Sequence, residues 1–361
     1  MAMRRFLPSL LAVAIVATLS VFQRELLLDI FQRLQGIHPL EIVPLALAGM
    51  GMIVTRGFFL RSCSPGISLR QSITADQSAL AAGYGIALGG GAVGTGLRIH
   101  MFTRWNMPSQ VIAASIVATA VVPSFTTWGL PIFVLAPKAV TASLDNVQLL
   151  AVSFGIFIIA ISIVFWWSAL MRPSLFTVVG RIGLRLQRFF LRRVPVRFWR
   201  SRKVVEKAQP EYFTNELRLS LRTLLRTRGH LILLSSMSTL LAGFTCLAVS
   251  AHVFGAQGLT MYEALVAFSL VRVLIALSPI PGAAGIAELG LIALLERAGV
   301  SLLDATGTTL LYRFLTWFVP IVVGTSLWWR YSHKRQETSH GQVHNNNQQL
   351  EDTRGSIPLH G

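Results

Sequence analysis

The chain has 361 residues, of which 53% are hydrophobic and only 13% are charged. This composition excludes an ordinary soluble domain and predicts a polytopic membrane protein. The formal net charge of +17 is a common sign of nucleic-acid binding in a soluble protein, but its location favours a membrane. Residues 172–228 carry fifteen Lys and Arg side chains against three Glu, which favours a cytoplasmic loop facing anionic lipid headgroups. We therefore expect membrane lipids as partners and no nucleic acid.

The sequence shows no pattern of a soluble catalytic domain. Its two cysteines and eight histidines do not have the spacing of metal ligands, and no phosphate-binding glycine loop, zinc-protease motif or serine nucleophile elbow is present. We expect no metal, no cofactor and no enzymatic activity. Without a nucleotide-binding motif, any driving force for transport is an ion gradient, downstream consumption of the product, or none.

Six apolar segments are long enough to cross a bilayer. The first follows Arg4 and Arg5 and resembles a signal peptide, but no small-x-small cleavage site follows it, so an uncleaved span is the better interpretation. The third has a predicted kink at Pro123. The predicted spans are residues 6–22, 40–55, 109–136, 147–171, 230–251 and 304–329.

Two further apolar segments are interrupted in the middle by residues that break helices. Residues 73–104 contain a glycine cluster between Gly85 and Gly96, and residues 262–298 contain the sequence P-I-P-G-A-A-G at 279–285. Proline lacks a backbone donor and glycine loses backbone entropy in a helix, so each segment is predicted to reverse direction. An irregular turn at membrane depth is tolerated where protein or a wet cavity shields it, which predicts two re-entrant hairpins. Legs of about 16 to 18 residues leave full spanning open as an alternative.

The order of span, hairpin and span occurs twice, and the Lys and Arg asymmetry gives the two sets opposite orientations. The predicted fold is an all-α membrane bundle of about six spans and two re-entrant hairpins in inverted repeats, an arrangement typical of proteins whose site lies between the repeats. Both termini are predicted to face the cytoplasm. The predicted regions are a first membrane half, a basic loop with amphipathic helices, a second membrane half and a polar disordered tail, at residues 1–171, 172–229, 230–329 and 330–361.

Three charged side chains lie at similar predicted depths in the second half. From a helical rise of ~1.5 Å per residue, Arg272, Glu288 and Arg313 are each ~13–15 Å from the nearer surface. Charges there are costly in lipid, so they are expected to pair with one another or to line a wet cavity. A structural ion pair that only fixes the hairpin is the alternative interpretation.

Arg98 and the glycines of the first hairpin have two interpretations each. Arg98 either contacts a substrate or extends its side chain to the inner headgroups. The cluster that includes Gly91 and Gly94 serves either a re-entrant turn or close helix packing.

The second hairpin resembles the transmembrane domain of the lysylphosphatidylglycerol synthase family, whose pattern is P-x-P-G-G-x-G-x-x-E followed by a span with an arginine. Ala283 departs from this pattern, since it stands where the family has its second glycine. In the first half the family pattern is P-G-R-x-G-E-x-x-R, and three of its positions are changed, to Gly90, Ala92 and Thr95. The matching residues are Pro279, Pro281, Gly282, Gly285, Glu288 and Arg313 in the second half, and Gly91, Gly94 and Arg98 in the first.

The resemblance implies a lipid flippase-like protein of the bacterial inner membrane without the family's aminoacyl-transferase domain. In this interpretation Arg272 and Arg313 hold an anionic phosphate of a phospholipid or lipid-linked headgroup, and Glu288 compensates their charge when the site is empty. The matching residues listed above are then candidate substrate-binding residues. Two alternatives stay open: a membrane subunit that scaffolds a lipid- or glycan-modifying enzyme, and a transporter of a small solute. Association with a lipid-synthesis enzyme and homo-oligomerisation are also left open.

Overall fold

A computed structural model describes residues 38–85, 90–141, 145–171, 210–256, 258–278 and 283–333, together with the isolated Gln32 and Gly36. Within these ranges the chain forms nine α-helices and no strand. They are α1 (Pro39–Cys63), α2 (Leu69–Gly85), α3 (Gly90–Arg104), α4 (Ser109–Thr141), α5 (Asn146–Met171), α6 (Pro210–Val253), α7 (Met261–Leu277), α8 (Ile286–Arg297) and α9 (Leu302–Arg313). A π-helical turn, Phe314–Phe318, continues α9 into a last helical segment at residues 319–333.

Five helical stretches of the described chain are long and apolar enough to cross a membrane. They correspond to five of the six predicted spans and confirm a multi-pass helical protein. The predicted span at residues 6–22 lies outside the described residues, as do the amphipathic part of the basic loop and the tail from residue 334. The re-entrant character of the two hairpins stays a prediction.

Two helices extend well beyond their predicted ends. α1 continues through Arg56 and Arg61 to Cys63, although its span was predicted to end at Thr55 and to be followed by a loop. α6 begins at Pro210, inside the region predicted as a basic loop with amphipathic helices, and continues without a break into the span predicted from residue 230. In both cases the prediction ended a span beside arginines, because unpaired charges are costly in lipid. The helix also continues across Pro123 within α4.

Each interrupted apolar segment forms a pair of short packed helices, α2 with α3 and α7 with α8. α2 and α3 are antiparallel, since Gly83 lies against Gly90 while Ala79 lies against Gly94. α7 begins at a capping box in which the Glu263 amide donates to the Thr260 hydroxyl and the Thr260 amide donates to the Glu263 carboxylate. These caps satisfy backbone donors that the first turn of a helix leaves unpaired.

The two halves pack along α1 and α6, which lie side by side. α4 contacts both α6 and α7, so this span of the first half lies against the second half. A buried apolar cluster joins Met52 of α1, Leu247 of α6, Phe268 of α7 and Leu291 of α8. This packing places the polar faces of α1, α2, α3, α4, α6 and α7 around one internal space.

Candidate functional site

A polar cavity of about 190 Å³ lies between the two halves. Six helices contribute to its wall, four from the first half and two from the second. Four of its lining residues are charged, and three more carry a hydroxyl group. The lining residues are Arg56, Phe59, Asp76, Arg98, Thr119, Pro123, Ser236, Thr239, Leu240 and Arg272.

Asp76 is the central acidic group of this cavity. Its Oδ2 accepts a hydrogen bond from Nε of Arg56 at 2.9 Å, and its Oδ1 accepts one from a terminal guanidinium nitrogen of Arg98 at 3.0 Å. The Asp76 side chain is 6% exposed, whereas those of Arg56 and Arg98 are 25% and 16% exposed. One buried carboxylate therefore holds arginines from two different helices, α1 and α3.

Sequence reasoning missed Asp76 and Arg56. A carboxylate inside a predicted membrane segment is itself a signal of a functional or paired residue. Asp76 lies only three residues from the predicted start of its segment, a position that the rise of a helix places close to the membrane surface. Arg56 was assigned to a loop. α1 remains helical through Arg56 because the carboxylate on α2 compensates the charge.

Arg98 is ion-paired in the cavity, so the alternative that it extends to the inner headgroups does not describe this structure. A further contact joins its second terminal nitrogen to the Thr119 hydroxyl at 3.4 Å. Thr95 stands where the family pattern has a glutamate, and its hydroxyl instead donates to the Gly91 carbonyl at 2.8 Å. Asp76, on the neighbouring helix, supplies a carboxylate to Arg98 that Thr95 does not.

Arg272 enters the same cavity from α7. A terminal guanidinium nitrogen donates to the Thr127 hydroxyl of α4 at 3.3 Å. Its Nε is buried and has no hydrogen-bond partner among the residues that the structure describes. The cavity thus contains three arginines and one aspartate, an excess of two positive charges.

Glu288 and Arg313 form a separate ion pair. Nε of Arg313 donates to Oε1 of Glu288 at 2.6 Å, and the Gly285 amide donates to the other carboxylate oxygen at 2.7 Å. The Arg313 guanidinium also lies 5.7 Å from the ring centre of Trp317, within the range of a cation–π contact. The structure therefore brings Glu288 and Arg313 together as predicted and places Arg272 with the other cavity charges.

The turn of the second hairpin is described only from Ala283 onward, so Pro279, Pro281 and Gly282 lie outside the described residues. Gly285 has φ +84° and immediately precedes α8, a backbone conformation that favours glycine. Ala283 has φ +50° and is buried. The alanine that replaces the family's second glycine thus has a left-handed conformation that costs an L-residue energy.

Gly91 and Gly94 have different environments although both lie on α3. A Cβ atom at Gly94 would clash with the backbone carbonyl of Ala79 on α2, whereas a Cβ atom at Gly91 would meet nothing within 4 Å. Gly94 is therefore needed for close helix packing. Gly91 is exposed and is not required by packing.

The fold and the buried charges define a multi-pass helical membrane protein with a polar, positively charged cavity between its two halves. The chain belongs to the family described as the lysylphosphatidylglycerol synthase TM region, which matches residues 6–324. This confirms the family suggested by the two hairpin motifs and makes the chain a lipid-related membrane protein. Neither the curated proteins nor the solved structures include a match to it.

Proposed function

We propose that the protein moves a lipid or a lipid-linked headgroup between the leaflets of a bilayer, as a transporter and not as an enzyme. The observation that carries this proposal is the charged cavity between the halves, with its excess of two positive charges. Charged side chains are expensive inside a membrane bundle and are typical of pathways for polar or charged substrates. Membership of a lipid-related family favours a lipid over a small solute.

In the proposed mechanism the polar headgroup enters the cavity while the acyl chains stay in the bilayer. Arg272 is retained from the sequence-based hypothesis as a ligand of an anionic headgroup. Arg313 already has Glu288 as a close ion partner, so we assign this pair to holding the second hairpin against the last span. Exposed apolar surface for the chains is present on two helices that also line the cavity, since Leu47 of α1 and Leu234 and Leu241 of α6 are each more than 60% exposed.

The proposal includes a location in the bacterial inner membrane with both termini in the cytoplasm. Its basis is the concentration of Lys and Arg in residues 172–228, since basic loops are retained on the cytoplasmic side. A lipid-synthesis enzyme that supplies or uses the transported lipid is a proposed partner. The same basic loop offers it a docking surface.

The test is lipid movement by the purified full-length protein in liposomes. Vesicles of phosphatidylglycerol and phosphatidylethanolamine carry a fluorescent lipid in both leaflets, and external dithionite bleaches only what reaches the outer leaflet. With the wild-type protein we expect dithionite to bleach more than the half of the fluorescent lipid that starts in the outer leaflet. With Arg272→Gln, the rate at which the inner-leaflet lipid is bleached should fall at least tenfold. Arg297→Gln is the matched control, because Arg297 is 58% exposed and pairs with Asp145 away from this cavity.

The alternatives give different results in the same vesicles. Bleaching that stops at the outer leaflet, with folded protein inserted, favours the scaffold of a lipid- or glycan-modifying enzyme. Movement of a trapped small anion without movement of lipid favours a solute transporter. Either result contradicts the proposed function.

A further inference from the structure

The charges of the cavity are not balanced by the residues that the structure describes. Asp76 uses one oxygen for Arg56 and the other for Arg98, so both oxygens already have a cationic partner. The ion pairs found among the described residues give Arg272 no carboxylate. Its buried Nε also lacks a partner there.

An excess of positive charge in a bundle surrounded by lipid calls for an anion. A charge buried without a partner is strongly destabilising, whereas a paired and hydrogen-bonded one is tolerated. The guanidinium group presents planar donors that match phosphate oxygens two at a time, which makes arginine the usual choice for phosphate. A cavity of about 190 Å³ is more than about ten times the ~10–15 Å³ that one water needs, so a hydrated phosphate group fits.

We infer that Arg56, Arg98 and Arg272 together form a binding site for a phosphate-bearing anion, in which Asp76 is an internal counter-ion that competes with the ligand. The inference rests on the proposed function for the role of the cavity as the headgroup's path, and it adds the class of ligand and the part played by Asp76. Arg313 is not a ligand in this site, because it is not among the residues that line the cavity.

Competition by Asp76 has a functional consequence. Transport requires binding that is strong enough to admit the headgroup and weak enough to release it. Without a ligand, Asp76 holds Arg56 and Arg98 in place. When a phosphate is present, these two arginines are shared between Asp76 and the phosphate. Removing the carboxylate raises the excess positive charge from two to three, so the anion is expected to bind more tightly and to leave more slowly.

The site is tested by equilibrium binding to the purified full-length protein in detergent. The probes are dihexanoyl phosphatidylglycerol, dihexanoylglycerol as the matched lipid without phosphate, and inorganic phosphate. We expect the wild-type protein to bind phosphatidylglycerol and not dihexanoylglycerol. Arg272→Gln is expected to weaken that binding at least tenfold, and Asp76→Asn to tighten it at least threefold while slowing lipid movement in liposomes. Arg297→Gln should leave both measurements unchanged.

A second variant keeps the inference testable if Asp76→Asn does not fold. Asp76→Asn with Arg98→Gln restores the excess of two positive charges and is expected to bind phosphatidylglycerol within threefold of the wild-type protein. A more than tenfold loss in this variant, weaker binding by Asp76→Asn, or equal binding of dihexanoylglycerol overturns the inference. If inorganic phosphate binds as tightly as phosphatidylglycerol and depends on Arg272 in the same way, the ligand is the free anion. That result overturns the assignment of a lipid headgroup as the ligand.

The binding test also separates this inference from the proposed function. If the binding pattern is as expected but no lipid moves in liposomes, the phosphate site stands and the transport proposal fails. If the wild-type protein moves lipid in liposomes, but Arg272→Gln and Asp76→Asn bind phosphatidylglycerol as tightly as the wild-type protein does, the site inference fails and the transport proposal stands.

Discussion

At the residue scale, Asp76 and Glu288, one carboxylate from each hairpin, both accept hydrogen bonds at both of their oxygens. Asp76 has two arginines, and Glu288 has Arg313 together with the backbone amide of Gly285. A carboxylate that both caps a helix and pairs with a neighbouring span is tied to the structure at both oxygens. This favours a structural role for Glu288, while the excess charge around Asp76 favours a binding role for its cavity.

We predict that Glu288 is energetically coupled to Arg313 and not to Arg272. Glu288→Gln leaves the Arg313 charge without its partner, and since their side chains are 25% and 12% exposed, the loss should lie near the lower end of the roughly 3–5 kcal/mol that breaking a buried pair costs. Adding Arg313→Gln should recover much of that stability. The measurement is a double-mutant cycle from unfolding in sodium dodecyl sulfate followed by circular dichroism.

The cycle with Arg272→Gln is the control for this prediction. Effects of Glu288→Gln and Arg272→Gln should add within about 0.5 kcal/mol, because uncoupled sites behave additively. Strong coupling of Glu288 to Arg272, or no coupling to Arg313, would contradict the structure, in which Glu288 pairs with Arg313 and Arg272 lines the cavity.

A second prediction at this scale concerns Ala283, whose φ of +50° is unusual for alanine. Ala283→Gly relieves a left-handed conformation that costs roughly 1–2 kcal/mol for an L-residue. Ala287 is the matched control, since it is equally buried in the same cluster but lies in the first turn of α8. Ala283→Gly should therefore be less destabilising than Ala287→Gly by at least about 1 kcal/mol. Equal losses in thermal unfolding contradict the strain argument.

At the scale of elements, the two interrupted segments fold as packed helix pairs, and α2 is held by glycines of neighbouring helices that lie against its backbone. Gly94 faces the backbone of α2, and Gly324 in the last helical segment likewise lies against the carbonyl of Gln77 on α2. α2 is thus enclosed by close backbone contacts on two sides. Such contacts leave little freedom for α2 and hold Asp76 in position between α1 and α3.

We predict opposite results for alanine at the two glycines of α3. Gly94→Ala inserts a methyl group against the Ala79 carbonyl and should cost about 1–3 kcal/mol, as overpacking usually does. Gly91→Ala meets nothing within 4 Å and should be neutral or slightly stabilising, because alanine is the better helix former. Thermal unfolding of the two variants in one detergent gives the comparison. Similar losses at both positions would mean that α2 and α3 do not pack as described.

At the scale of the whole molecule, span, helix pair and span occur in each half: α1, α2 with α3, and α4, then α6, α7 with α8, and α9 with its continuation. The cavity is built from both sets. An ion pair also joins the halves away from the cavity, where Arg297 at the end of α8 pairs with Asp145 before α5 at 3.1 Å.

The inverted orientation predicted for the two halves can be tested by their topology. In intact cells, an impermeant thiol reagent should label Ala142→Cys and should label Ser201→Cys only after permeabilisation, because basic loops stay inside. The native Cys63 and Cys246 are fully buried and give little background. The reverse labelling pattern would contradict both the cytoplasmic basic loop and the inverted repeats.

The sequence by itself determined the class of the protein, its family and the positions of most helices. Apolar runs have to match the thickness of a bilayer, and proline and glycine interrupt helices locally, so both signals are readable along the chain. The five described spans and the two helix pairs follow from these rules. The pairing of Glu288 with Arg313 was also within reach, because both charges lie at similar depths in segments that are close along the chain.

Only the tertiary structure decided which charges share a site. The rise of a helix gives the depth of a residue but not the direction in which its side chain points, so Arg272 was grouped with Glu288 although it faces the cavity of Asp76. The end of α1 was misplaced for a related reason. An arginine ends a span when it is unpaired in lipid, and Arg56 is tolerated inside α1 because Asp76, on another helix, accepts its hydrogen bond.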